Sequence, residues 1–132
     1  MAKAKILIVD DDTDLVQALG AILESVDYAV VAATTKEAGF EKMKSEKPDL
    51  AILDVMMTTW QDGFELARDI KKDPELKETP ILMLTAVKDK TGIEFKSTAG
   101  DPNWLPVDGF LDKPVEPQVL LDEVSKLLSK KD

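Results

Sequence analysis

Short, unbroken apolar runs alternate along this chain with stretches whose apolar residues recur at helical spacing. The first run is Ile6-Leu7-Ile8-Val9, and it closes on three aspartates, Asp10, Asp11 and Asp12. A continuous apolar run bounded by polar residues reads as a strand buried on both faces of a parallel sheet. The pattern predicts strand one at about Lys5 to Asp10. A helix follows, with Leu15, Val16, Leu19, Ile22, Leu23 and Val26 on one face. Strand two runs from Tyr28 to Ala33 and is less apolar, as at a sheet edge. Helix two opens at Thr34 and Glu37, a capping-box spacing. It buries Phe40 and Met43 and ends at Lys47-Pro48. Strand three is Asp49 to Asp54. Asp62 and Glu65 repeat the capping-box spacing before Phe64, Ala67 and Ile70 of helix three. Strand four is Ile81 to Leu84, ending at Thr85, and strand five is roughly Asp108 to Leu111, ending near Lys113. Between them a short fourth helix is expected, then an irregular loop containing Trp104. The last helix has Pro117 in its first turn, where proline is tolerated, and Leu120, Leu121, Val124, Leu127 and Leu128 on its inner face.

Strands that alternate with helices imply right-handed βαβ units: an α/β, doubly wound parallel sheet covered by helices on both faces. The 132 residues suit one domain with one core, and the expectation is a single domain over 1–132 with no output domain attached.

Composition narrows the function. Lys and Arg total 17 against 26 Asp and Glu, a net charge of −9. An acidic surface disfavours nucleic acid, whose binding needs a basic face to displace counterions, and it disfavours anionic membranes. Cysteine and histidine are both absent. Thiol catalysis, thiolate metal sites, His-based triads and a phosphohistidine on this chain are therefore excluded. No signal-peptide pattern or membrane-length apolar run is present, so a cytoplasmic protein is expected.

In a doubly wound sheet, ligands sit beyond the carboxyl ends of the strands. Asp10, Asp11, Asp54, Thr85 and Lys113 all fall at such ends. Crowded carboxylates repel one another unless a cation sits among them, and oxygen ligands suit a hard one such as Mg2+, with Mn2+ as a substitute. Asp54, central in the set, can ligate that cation and act as a carboxylate nucleophile toward phosphorus. Lys113 offers a point charge and Thr85 a hydroxyl to phosphate oxygens, while Ala86 leaves room for the incoming group. Together these groups supply most of what phosphoryl transfer requires. Singly, each has a plainer reading: Asp12 or Asp54 as a helix cap, Thr85 as a strand end, Lys113 as a solvated surface charge. Their joint placement at the ends of strands one, three, four and five favours the site.

The chain resembles the response-regulator receiver domains of two-component signalling over nearly its whole length. The segments that carry the likeness are Ile6 to Asp11, Pro48 to Asp54, Asp62-Gly63-Phe64-Glu65-Leu66, Pro80 to Ala86 and Phe110-Leu111-Asp112-Lys113-Pro114. The resemblance implies a flavodoxin-like, five-stranded sheet in the order 2-1-3-4-5. It implies that Asp54 accepts a phosphoryl group from a histidine kinase or a histidine phosphotransfer protein. It places metal binding at Asp10, Asp11, Asp54 and the Met56 backbone carbonyl. Thr85 becomes the switch threonine, Phe110 the switch aromatic and Lys113 the phosphate ligand, with a cis Lys113-Pro114 bond. Signalling would run through the face made by the fourth helix, strand five and the last helix, to a downstream protein or a phosphorylation-dependent homodimer of an otherwise monomeric chain.

Three departures stand out. Thr58 occupies a position where the family usually has proline, in a loop one residue longer than usual that places Trp60 near the site. The stretch from Thr85 to Lys113 is long and holds Trp104. Phe110 carries no hydroxyl. In addition, Met56 and Val87 stand where the family often orients the hydrolytic water; both are apolar, which implies slow self-dephosphorylation. Competing readings are a phosphorelay intermediate or phosphate sink, and an aspartate-nucleophile phosphatase, whose Asp-x-Asp motif Asp10 and Asp12 superficially match.

Overall fold

The computed structural model describes residues 4–54, 60–85, 108–112 and 116–131, with residues 54, 60–64, 85, 110, 112, 130 and 131 described by their backbone only. The strands are β1 (Lys5–Val9), β2 (Ala29–Ala33), β3 (Leu50–Asp54), β4 (Ile81–Thr85) and β5 (Gly109–Asp112). The helices are α1 (Thr13–Glu24), α2 (Lys36–Glu46), α3 (Trp60–Lys72) and α4 (Pro117–Lys131). The short helix and the Trp104 loop expected between Thr85 and Asp108 lie outside the described residues.

The strands form one parallel sheet in the order β2-β1-β3-β4-β5. Side chains of successive strand residues point to opposite faces, and here both faces are apolar. Ile6 and Ile8 of β1, Leu50 and Ile52 of β3, and Leu82 and Leu84 of β4 pack with Leu19 and Leu23 of α1 and Leu120, Val124 and Leu127 of α4. The alternate residues, Leu7, Val9, Ala51, Leu53, Ile81 and Met83, pack with Met43 of α2 and Leu66, Ala67 and Ile70 of α3. This explains why the strands read as unbroken apolar runs. Each fully buried Leu or Ile contributes about 1.5–3 kcal/mol relative to exposure.

Local contacts set the element boundaries and move several of them from where the sequence places them. Asp49 stands outside β3, because it clasps the start of β1: its Oδ2 accepts the Lys5 N–H at 2.8 Å, and its own N–H donates to the Lys5 carbonyl at 2.7 Å. Asp108 makes the same clasp on β4. Its Oδ2 accepts the Ile81 N–H at 2.8 Å while its N–H donates to the Ile81 carbonyl at 2.9 Å. Lys71 of α3 adds to this clasp, donating to Asp108 Oδ2 at 3.0 Å and to the Thr79 carbonyl at 2.9 Å.

Thr35, not Thr34, caps α2: its Oγ1 accepts the Ala38 N–H at 3.0 Å. The expected Thr34–Glu37 box is therefore not formed: the cap falls one residue later, with Ala38 at the position the box needs for a glutamate. α3 already includes Asp62 as a helical residue, so Asp62 does not cap it. Its expected partner Glu65 instead accepts from Lys36. Two adjacent threonines offer equally good caps on paper, and tertiary packing chooses between them. At its other end α2 closes on Lys47 in the left-handed conformation (φ 48°), and Pro48 then prevents continuation.

Candidate functional site

The carboxyl ends of the strands form one rim of the sheet. Val9 pairs with Leu53, so Asp10 and Asp54 follow at the same level on the neighbouring strands β1 and β3. Asp54 pairs with Leu84, which puts Thr85 one residue further along β4, and Thr85 pairs with Asp112 at the end of β5. Phe110 pairs with Met83 in the middle of the β4–β5 ladder. The backbone thus brings Asp10, Asp54 and Thr85 to the rim of three adjacent strands, with Lys113 next in sequence after the last residue of the fourth. Met56, Ala86, Val87, Lys113 and Pro114 lie outside the described residues, as does the expected cis bond.

Asp10 is the buried acid of the set, at 1% exposure. Its backbone N–H still donates to the Ala33 carbonyl at 3.1 Å, which extends the β1–β2 ladder by one bond. Its Oδ1 accepts the Asp12 N–H at 3.0 Å. That bond fixes the orientation of the buried carboxylate. Asp11 is exposed. Asp12 turns away to the helix: its Oδ1 accepts the N–H groups of Asp14 at 3.1 Å and Leu15 at 3.2 Å, capping α1. The three consecutive aspartates therefore divide their work. One is held in the floor of the rim, one faces solvent, and one closes the helix that follows.

A buried carboxylate beside an exposed one supplies the all-oxygen donors that a hard divalent cation takes. Among the described residues no three acidic side chains gather as a cation site. The third donor nominated by the sequence is Asp54, placed by its backbone between β1 and β4.

Two further features border the rim and were missed by the sequence reading. Lys36, the first residue of α2, donates to Glu65 Oε1 of α3 at 2.7 Å. That bond, with the charge of Glu65 and, less strongly, those of Glu37 and Asp69, holds the Lys36 ammonium above the usual lysine range against the opposing effect of burial. A lysine in the first turn of a helix opposes the helix dipole, and that mismatch was the available signal. Gly39 is the second feature. A Cβ there would stand 3.0 Å from Val9 Cγ2 and 3.1 Å from Leu66 Cδ2, so its lack of a side chain lets α2 approach the end of β1 and the middle of α3 at once.

The family model of the response regulator receiver domain matches residues 6–125. The alkaline phosphatase synthesis transcriptional regulatory protein PhoP of Bacillus subtilis is 37% identical over 124 residues, covering 94% of this chain and 48% of that protein. Protein PilH of Pseudomonas aeruginosa is 29% identical over 126 residues, covering 96% of this chain and 98% of that protein. Among solved structures, chemotaxis response regulator CheY4 of Vibrio cholerae matches with a TM-score of 0.80 at 31% identity, covering 94% of this chain and 98% of that chain. The chain spans about half the length of the first curated relatives it matches. Among the described residues, no helix is long and apolar enough to cross a membrane.

Proposed function

We propose that this chain, which belongs to the response regulator receiver domain family, works as a cytoplasmic phosphoacceptor switch with Asp54 as the acceptor. The observation that carries this reading is the strand register, which sets Asp54 beside the buried Asp10 at the rim, with Thr85 one strand over.

In the proposed reaction a carboxylate oxygen of Asp54 attacks the phosphorus of a phosphohistidine on a sensor kinase or phosphotransfer protein. The P–N bond breaks, the leaving imidazole takes up a proton, and an acyl phosphate forms on Asp54. Asp10, Asp11, Asp54 and the Met56 carbonyl would hold Mg2+, or Mn2+ in its place, which when bound neutralises charge building on the transferred group. The chain's own residues do the rest. Asp10 is held in place by the Asp12 N–H, Lys113 takes a phosphate oxygen, and Thr85 moves toward another. Ala86 leaves space for the group. Withdrawal of Thr85 opens room for Phe110, and the surface around β5 and α4 changes its preferred partner. This is a two-state equilibrium biased by a covalent charge. In this reading the domain is a signalling switch and its only chemistry is on itself: uptake from small phosphodonors, and slow loss.

Intact-mass analysis after incubation with acetyl phosphate and Mg2+ tests the reading. The expected result is one added phosphoryl group, absent without Mg2+ and absent in Asp54→Ala. Absence of any adduct, with no steady release of phosphate, overturns it. An adduct that leaves partner binding and self-association unchanged favours the relay or sink.

A further inference from the structure

We infer that Lys36 and Glu65 form a positioning pair for the phosphorylation site, holding α3 against α2 where both helices pack beside Val9, the neighbour of Asp10. The inference rests on the proposed function, since it names what keeps that same site in shape.

The argument begins with connectivity. Residues 55–59 alone separate the end of β3 from the start of α3. A displacement of α3 along α2 would therefore reach the end of β3 through few residues. Two contacts fix α3 against α2. Below, Leu66 packs at the side-chain-free face of Gly39, where Val9, the neighbour of Asp10, also meets α2. Above, Lys36 reaches across to Glu65, the residue before Leu66, at 2.7 Å. The apolar contact resists separation of the helices but resists sliding poorly, because dispersion is non-directional. The ion pair adds a directional bond between the first turn of α2 and the second turn of α3.

Lys36 is also unfavourably placed for its own helix. A cation at the first position opposes the dipole of α2, and Glu37 or a neutral residue would serve the helix better. Its ammonium is held charged by Glu65 first, and by Glu37 and Asp69 as well. What the lysine provides is the bond to α3.

The test compares Lys36→Gln, Glu65→Gln, the double variant and Lys36→Arg with the wild type. Each is measured for Mg2+ affinity by titration calorimetry, for the rate of phosphoryl uptake from acetyl phosphate, and for its urea midpoint. A through-space field effect and a positioning effect differ in sign. Removing the lysine makes the rim more negative and would tighten Mg2+, whereas removing the glutamate would loosen it. Positioning predicts that both single variants lose Mg2+ affinity and slow down, by about three- to fivefold, the range of a partly exposed ion pair. The double variant should lose no more than either single one, and Lys36→Arg should retain most of the wild-type value. Opposite signs in the two single variants, additive losses, or unchanged affinity and rate in folded protein each overturn the inference. A wild type that takes no phosphoryl group overturns the proposed function instead, and the inference with it.

Discussion

The backbone N–H of Asp12 donates to Oδ1 of Asp10 at 3.0 Å, while the Asp12 carboxylate caps α1. The order of the buried acid at the rim is thus tied to the order of the helix that follows it. Asp12→Ala should cost about 1 kcal/mol through the lost cap, seen as a lower urea midpoint. Asp12→Asn and Asp12→Ser keep the capping oxygen and should recover most of the loss. If Asp12→Ala leaves the midpoint unchanged, the cap contributes nothing.

Two helical glycines predict opposite outcomes from the same substitution. In Gly39→Ala the new methyl meets Val9 and Leu66 at 3.0–3.1 Å. Overpacking of this kind costs about 1–3 kcal/mol, more than the roughly 1 kcal/mol gained from helix propensity. In Gly20→Ala the nearest atom is Val30 Cγ1 at 3.6 Å, an ordinary contact. That variant should gain about 0.5–1 kcal/mol. Paired urea titrations decide it, and a stabilised Gly39→Ala would contradict the close approach of α2 to β1.

The pH dependence follows from three ion pairs. Lys5, bonded to Glu46 at 3.0 Å, holds that carboxyl below its usual range. Asp73 is also lowered, first by the Glu75 N–H at 2.8 Å and secondarily by Lys44. A lowered carboxylate contributes stability above its unfolded pKa, about 4.3 for Glu and 3.9 for Asp. It loses that stability as pH falls through the folded value. Lys36 is raised, so its contribution is complete below about 10.4 and is lost as pH rises through its higher folded value. In urea midpoints against pH, Lys5→Gln should flatten the Glu46 part of the acid limb. Lys44→Gln should leave most of the Asp73 part, because a backbone amide is its largest cause. Lys36→Gln should flatten the alkaline limb.

Under the proposed function, Met56 would set the lifetime of the phosphorylated state. An apolar side chain cannot hydrogen-bond a hydrolytic water. Met56→Asn should speed the decay of phospho-Asp54 by about fivefold, the equivalent of one added hydrogen bond in the transition state. Decay followed by intact mass at fixed Mg2+ measures it, and an unchanged rate removes Met56 from the argument.

The alternation of strands and helices was legible because both faces of the sheet are covered, which turns β1, β3 and β4 into unbroken apolar runs. Their carboxyl ends were legible because an acid or a threonine interrupts each run. What the sequence could not show is which helices become neighbours. The choice of Thr35 over Thr34, the capture of Glu65 by Lys36 and the need for glycine at position 39 all depend on α2 and α3 lying side by side. Asp49 and Asp108 read as first residues of strands, yet each spends its carboxylate on the adjoining strand. No periodicity within one segment encodes a contact between two.

Those two aspartate clasps give the sheet a mechanical polarity. They rivet β1 to the β3 entry, and β4 to the β5 entry, at the edge opposite the rim. Like a hand fan pinned at its handle, the sheet has its ribs set in register from the end away from the rim. In the proposed switch, a charge added at the rim would act on a sheet whose strand register is already fixed at its far end.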